Sequence, residues 1–158
     1  MAGETSRFPL RGHPLPRSRG SWPVSAMRGS CWCGGVQFEV AEPFISLNVC
    51  HCTSCKRISG GVGTVNGRAR TEWIDVKTGR ELLTTYQPGE GTAKTFCSVC
   101  GSNLFGGGWP DSEQSSVRLS SIDEGLEQKP DAHTYVRSVA QWETLPDDGL
   151  PRYEVTRP

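Results

Sequence analysis

The sequence has no long hydrophobic run: no apolar stretch approaches the ~18 residues a membrane-spanning helix requires. Nothing near Met1 resembles the apolar centre of a secretory signal. Neither sign of charge is in excess, with 17 Lys plus Arg against 17 Asp plus Glu. No global field therefore draws the chain onto nucleic acid or anionic lipid, and neither a nucleic-acid partner nor a membrane is expected. Long amphipathic helices are also missing; only short pieces near Lys56 and Leu82 suit a helix. No solenoid-length repeat is present. Gly60-Gly61-Val62-Gly63 lacks phosphate-loop spacing and precedes no long helix, so it reads as a tight bend. No Ser-His-Asp set or paired-carboxylate motif stands out as a catalytic device. These absences leave a single small domain, expected in the cytoplasm.

What the chain does have is 19 glycines, 11 prolines and 7 cysteines in 158 residues. A chain so rich in loops needs more than helix packing to hold it, so a staple is expected. Residues 1–27 carry Pro9, Pro14, Pro16 and Pro23 and the arginines Arg7, Arg11, Arg17 and Arg19, with Glu4 the only acid. They read as a disordered tail, or as an extension before a start at Met27. An Arg-rich transit peptide is disfavoured, because four prolines oppose the amphipathic helix it needs. From residue 28 the texture becomes mainly β, and 28–158 is read as the folded domain. Val36-Gln37-Phe38-Glu39-Val40 alternates apolar and polar with period two, as a half-buried strand does. Further strands are expected over 45–49, 62–66, 72–76, 94–96, 117–120 and 134–139.

The cysteines fall into three groups: Cys31-Trp-Cys33, Cys50-His-Cys52-Thr-Ser-Cys55 and Cys97-Ser-Val-Cys100-Gly101. In a reducing compartment such clusters serve metals or catalysis more often than disulfides. An odd count cannot pair completely, and bridges within 50–55 would strain the backbone. The C-x-x-C-G group is a zinc knuckle, whose turn aims two thiolates at one point. C-x-C returns the second thiolate to the face of the first. A structural zinc takes four ligands, whereas a catalytic zinc takes three and leaves a position for water or substrate. Seven thiolates then divide into a closed site of Cys31, Cys33, Cys97 and Cys100 and an open site of Cys50, Cys52 and Cys55, two zinc ions in all. Spacing also permits a zinc ribbon of Cys52, Cys55, Cys97 and Cys100.

The stretches 30–36, 50–60 and 96–104 resemble the three signature segments of the glutathione-dependent formaldehyde-activating enzyme family, whose domain also occurs in centromere protein V. His133-Thr134-Tyr135-Val136, Trp142 and Leu150-Pro151-Arg152-Tyr153 are similar to that family's C-terminal segment. The resemblance spans 28–153 with all seven cysteines in register. It implies a β-tent-like fold, the four-and-three zinc partition, and carbon–sulfur lyase chemistry. The reaction implied is reversible addition of a thiol such as glutathione to a small carbonyl compound such as formaldehyde, with Cys50, Cys52 and Cys55 at the catalytic site. The alternative is a non-catalytic zinc module that binds a protein partner.

Other residues have two readings each. Lys56 and Arg57 follow the open site, where cations would lower a thiol pKa and attract the carboxylates of a glutathione-like ligand; basic residues on a solvated turn are the plain alternative. His51 is turned away from the thiolates by period two, and either orients the site through a hydrogen bond or is simply structural. His133 precedes an expected strand and lies far from any cysteine in sequence, so a structural role is set against a direct catalytic one. Gly106-Gly107-Gly108-Trp109 reads as a mobile loop, or as a cover over a substrate, and Trp32, Trp73 and Trp142 as core rather than binding surface.

Overall fold

Short strands separated by glycine turns can bury apolar surface only by stacking sheets, and the chain does this. The computed structural model describes residues 26–158. Of the tail expected over 1–27, residues 1–25 lie outside that description, while Met27 opens the first strand and is buried. The strands are β1 (Met27–Ser30), β2 (Gln37–Val40), β3 (Ser46–Cys50), β4 (Thr64–Arg70), β5 (Ile74–Thr78), β6 (Leu83–Tyr86) and β7 (Lys94–Cys97). They continue with β8 (Asn103–Gly106), β9 (Gln114–Arg118), β10 (Ile122–Glu124), β11 (His133–Thr134) and β12 (Arg152–Tyr153). One short α-helix, α1 (Thr53–Ser59), follows β3. Among the described residues no helix is long and apolar enough to cross a membrane.

Two sheets result, in the orders β10-β1-β2-β5 and β12-β11-β3-β4-β9-β8-β7-β6. The fold is mainly β, as expected. The sheets meet across one apolar core: Met27, Phe38, Val40, Ile74 and Val76 from the smaller face Leu47, Ala69, Phe105 and Val117 from the larger. Phe38 meets Phe105 edge-to-face with centroids 4.9 Å apart, a favoured aromatic geometry. Leu47, Gly67, Val117 and Phe105 share one row across β3, β4, β9 and β8. The next row on the opposite face is polar: Asn48, Asn66 and Arg118. The larger sheet thus turns its apolar side to the core and its polar side to the region of Cys50.

Several expectations change. The segment 134–139 is a strand only through Thr134, because Tyr135 adopts a left-handed φ of 59° and a 3-10 turn, Val136–Ser138, follows. Residues 106–109 form a tight turn; Trp109 packs on Phe105 at 4.5 Å and is buried. Trp32 and Trp142 are 90% and 72% exposed, against the expectation that they belong to the core. The cause at Trp32 is local: it lies in the turn after β1, between two cysteines whose sulfurs face the cluster.

Candidate metal centres and their surroundings

The first cluster is built by two turns. After β1 the chain reverses through Gly34, at φ 72°, and the Cys31 N–H bonds the Val36 carbonyl. After β7 a knuckle closes with the Cys97 N–H on the Ser102 carbonyl and the Gly101 N–H on the Cys97 carbonyl, Gly101 taking φ 76°. These turns bring Cys31, Cys33, Cys97 and Cys100 together with all sulfurs within 4.8 Å of one another. Cys31 to Cys33 is 3.4 Å and Cys33 to Cys97 is 3.9 Å. A tetrahedral zinc with Zn–S of about 2.3 Å separates its sulfurs by about 3.8 Å, so the set fits such an ion. The Val36 N–H points at the Cys31 sulfur (3.2 Å), and the Ser102 hydroxyl lies 3.2 Å from that of Cys100. Burial pushes the Cys31 and Cys97 thiols up. At Cys100 burial acts the same way, but Ser102 and backbone hydrogen bonds outweigh it and bring the thiol down to about 6.

The second cluster comes from six consecutive residues. Cys50 ends β3; Cys52, in extended conformation, caps α1 with its sulfur accepting from the Cys55 N–H; Cys55 lies in the helix's first turn. Their sulfurs also lie within 4.8 Å of one another. Cys50 and Cys55 are buried and Cys52 is half-buried, so the group has a solvent side. Cys50 is driven well up by the hydrogen bonds it shares with Cys52 and Cys55, whereas the bonds of Cys55 to Cys50 and Cys52 hold Cys55 far below its ordinary value. Thiols crowded this closely can all be thiolates only around a cation. All seven cysteines are unbridged, and the ribbon pairing of Cys52 and Cys55 with Cys97 and Cys100 is not formed.

Behind the second cluster runs a chain of four titratable side chains. His51 Nδ1 meets Glu143 Oε1 and His133 Nε2 meets Asp148 Oδ2, each at 2.9 Å, while His51 Nε2 meets His133 Nδ1 at 2.9 Å. Each imidazole thus has both ring nitrogens engaged, one by a carboxylate and one by the other imidazole. Burial works to raise the Glu143 pKa, but the Ala140 N–H and His51 more than offset it; the His133 hydrogen bond likewise lowers Asp148. This chain ties the segment 139–150 to the loop carrying the cysteines. His51 is thus held at both ring nitrogens, and His133, distant in sequence, is one of its partners.

Lys56 belongs to the same clamp: its ammonium bonds the Ser138 carbonyl and lies 3.6 Å from Glu143 Oε2. Arg57 is exposed and lines an open groove of about 340 Å³ with Thr53, Ser54, Ile58, Tyr86, Pro88 and Glu90. Sequence reasoning missed two other cations. Arg118 is 3% exposed and Lys94 7%, and both sense the charge of Cys50, Cys52 and Cys55. Burial pushes the Lys94 ammonium down while the three sulfurs push it back up. No local signal marks either residue, since β7 and β9 reach the cysteines only through sheet order.

Short β-strands around two cysteine clusters define a small mainly β protein with two sites that could hold metal. Residues 26–138 match the family model described as glutathione-dependent formaldehyde-activating enzyme. A Halomonas elongata protein named putative glutathione-dependent formaldehyde-activating enzyme is 33% identical over 131 residues, which cover 73% of this chain and 78% of that protein. The chain belongs to the glutathione-dependent formaldehyde-activating enzyme family. A crystal structure of a Rhodobacter sphaeroides protein shares the fold, with TM-score 0.51 at 24% identity over 80% of this chain and 99% of that one.

Proposed function

We propose that this chain is a zinc-dependent carbon–sulfur lyase that promotes the reversible addition of a glutathione-like thiol to a small aldehyde. The observation that carries the reading is the three-sulfur cluster of Cys50, Cys52 and Cys55, half-open at Cys52 and set in a chain of this family. In the forward direction a sulfur–carbon bond forms, the carbonyl π bond breaks, and the thiol proton ends on the former carbonyl oxygen. A zinc held by these three cysteines would keep a bound thiol as thiolate, the reactive form, at neutral pH. Three thiolates already neutralise the ion's charge, so holding and positioning the thiol outweighs activating the carbonyl. His51, fixed by Glu143 and His133, orients the loop between Cys50 and Cys52. Arg57 in its groove is placed to meet a carboxylate of the thiol's tail, and Lys56 braces the loop through Glu143. Cys31, Cys33, Cys97 and Cys100 would hold a second, structural zinc. Unbridged cysteines throughout accord with a reducing, cytoplasmic setting.

The test is to mix glutathione and formaldehyde with the zinc-loaded protein and follow adduct formation against the uncatalysed rate. Acceleration that disappears in Cys52→Ser supports the reading, and an unchanged rate refutes it. A second reading, a protein-interaction module, has one observation in its favour: Trp32 and Val99 stand exposed on the turns that carry the closed cluster. Loss of partner capture on Trp32→Ala, with no thiol chemistry in the parent, would favour it.

A further inference from the structure

Arg118 and Lys94 have no carboxylate partner among the described residues, although both are buried. Arg118 donates through Nε to Asn103 Oδ1 (2.8 Å) and through Nη1 to Asn66 Oδ1 and to Thr64 Oγ1 (3.4 Å). All three are neutral acceptors. Its remaining nitrogen, Nη2, is buried without any partner. Thr64 sits opposite Cys50 in the β3–β4 register, so Arg118, bonded to Thr64 on the same face of the sheet, reaches toward the cysteine cluster. Lys94 packs beside it. Gly106, between them, leaves the room: a Cβ there would lie 2.7 Å from Arg118 Nη2 and 3.6 Å from Lys94 Cδ. Among the described residues the Lys94 ammonium has only the Thr92 hydroxyl, at 2.8 Å, as a hydrogen-bond acceptor.

An uncompensated buried cation is costly, and two side by side are more so. The counter-charge available to both is the sulfur cluster. A divalent ion with three thiolates carries one net negative charge, and a thiolate as fourth ligand makes it two. Two cations balance the four-thiolate state, whereas water in the fourth position would leave a surplus positive charge buried. The first cluster differs: the Cys31 and Cys100 sulfurs are met by the Val36 N–H and the Ser102 hydroxyl.

We propose that Arg118 and Lys94 are the counter-charge of the three-cysteine site and select an anionic thiolate over water as its fourth ligand. This rests on the reading that Cys50, Cys52 and Cys55 hold a zinc ion. The test loads the full-length protein with cobalt(II), counts bound metal, and titrates in 2-mercaptoethanol, an uncharged thiol that makes no use of the Arg57 groove. Sulfur-to-cobalt charge-transfer absorption reports both metal and thiol. Arg118→Gln keeps hydrogen-bonding capacity and loses the charge; Arg118→Lys does the reverse. Expected is at least a tenfold weaker second cobalt and a tenfold weaker thiol in Arg118→Gln and in Lys94→Gln, with Arg118→Lys within about threefold of the parent. Circular dichroism checks the fold, and should Arg118→Gln fail to fold, Lys94→Gln alone decides. Parent-like affinities in the Gln variants overturn the proposal, as does an Arg118→Lys as impaired as Arg118→Gln. A parent that takes up only one cobalt would sink this proposal together with the zinc reading; two cobalts with unchanged variants would sink this proposal alone.

Discussion

Cys97 and Cys52 both face a metal-sized gap between sulfurs, yet different amounts of structure depend on them. Cys97 is fully buried in the core and joins turns from both sheets; Cys52 is half-buried at the start of a short helix. Structural zinc contributes an apparent ~10–16 kcal/mol in small metal-folded peptides, against ~5–15 kcal/mol net stability for a domain. Cys97→Ser or Cys31→Ser should therefore give insoluble or unfolded protein, whereas Cys52→Ser should stay folded with thiol chemistry abolished. Equal unfolding of both, by circular dichroism, would contradict the division of roles. Lys56 and Arg57 also separate. Arg57→Ala should weaken glutathione binding, more at low salt than at high salt, because an exposed charge is screened; Lys56→Ala should act through the clamp at Glu143, with less salt dependence. Isothermal titration at two ionic strengths distinguishes them. The cysteine grouping was readable because spacing alone constrains where thiolates can point. Lys94, Arg118, Glu143 and Asp148 were not, because each approaches the site across more than 35 residues of intervening chain, from other strands and loops.

At the scale of elements, alternation identified the strands with one buried face, as in 36–40, where Phe38 and Val40 are buried and Gln37 and Glu39 are not. Strands such as β8, with nearly every residue buried, and β12, only two residues long, have no period to read. Close packing between elements sets the next expectation. A Cβ on Gly67 would lie 2.5–2.6 Å from three ring carbons of Phe44. A rigid ring cannot yield that distance, so Gly67→Ala should lower stability by about 1–3 kcal/mol, the usual cost of overpacking. Urea denaturation would measure it. The segment 139–150 is held differently, through two carboxylates with lowered pKa values. Their contribution is fully present above the ordinary carboxylate range and is lost as pH falls from about 4 through the lower folded values. Protection against hydrogen exchange in 136–150, relative to each amide's intrinsic rate, should therefore fall in acid before the sheets open. Glu143→Gln should bring that fall, roughly ten- to a hundredfold, to neutral pH, since a bond to a charged partner contributes about 1.5–3 kcal/mol. Unchanged protection in the variant would show that the segment is held by other contacts.

For the molecule as a whole, the two clusters close loops of different size. Cys33 and Cys97 are 64 residues apart and belong to opposite sheets, whereas the second cluster spans 50–55 within one. Treating each metal as a cross-link, the entropy removed from the unfolded chain stabilises by about 4 kcal/mol for the long loop and about 2 kcal/mol for the short one. Access works in the same direction: the second cluster has three protein sulfurs and a half-exposed edge, so a chelator can attack without first opening the sheets. Two metal ions per chain are therefore expected, and they should leave in order. Graded chelator at neutral pH should strip the three-cysteine metal first, with little change in circular dichroism or melting temperature. The second ion should depart only with cooperative unfolding. Native mass spectrometry alongside circular dichroism would follow both. Simultaneous release with loss of structure would mean that the 50–55 cluster also holds the fold together, and a single ion at saturation would mean that three of the seven cysteines serve another purpose.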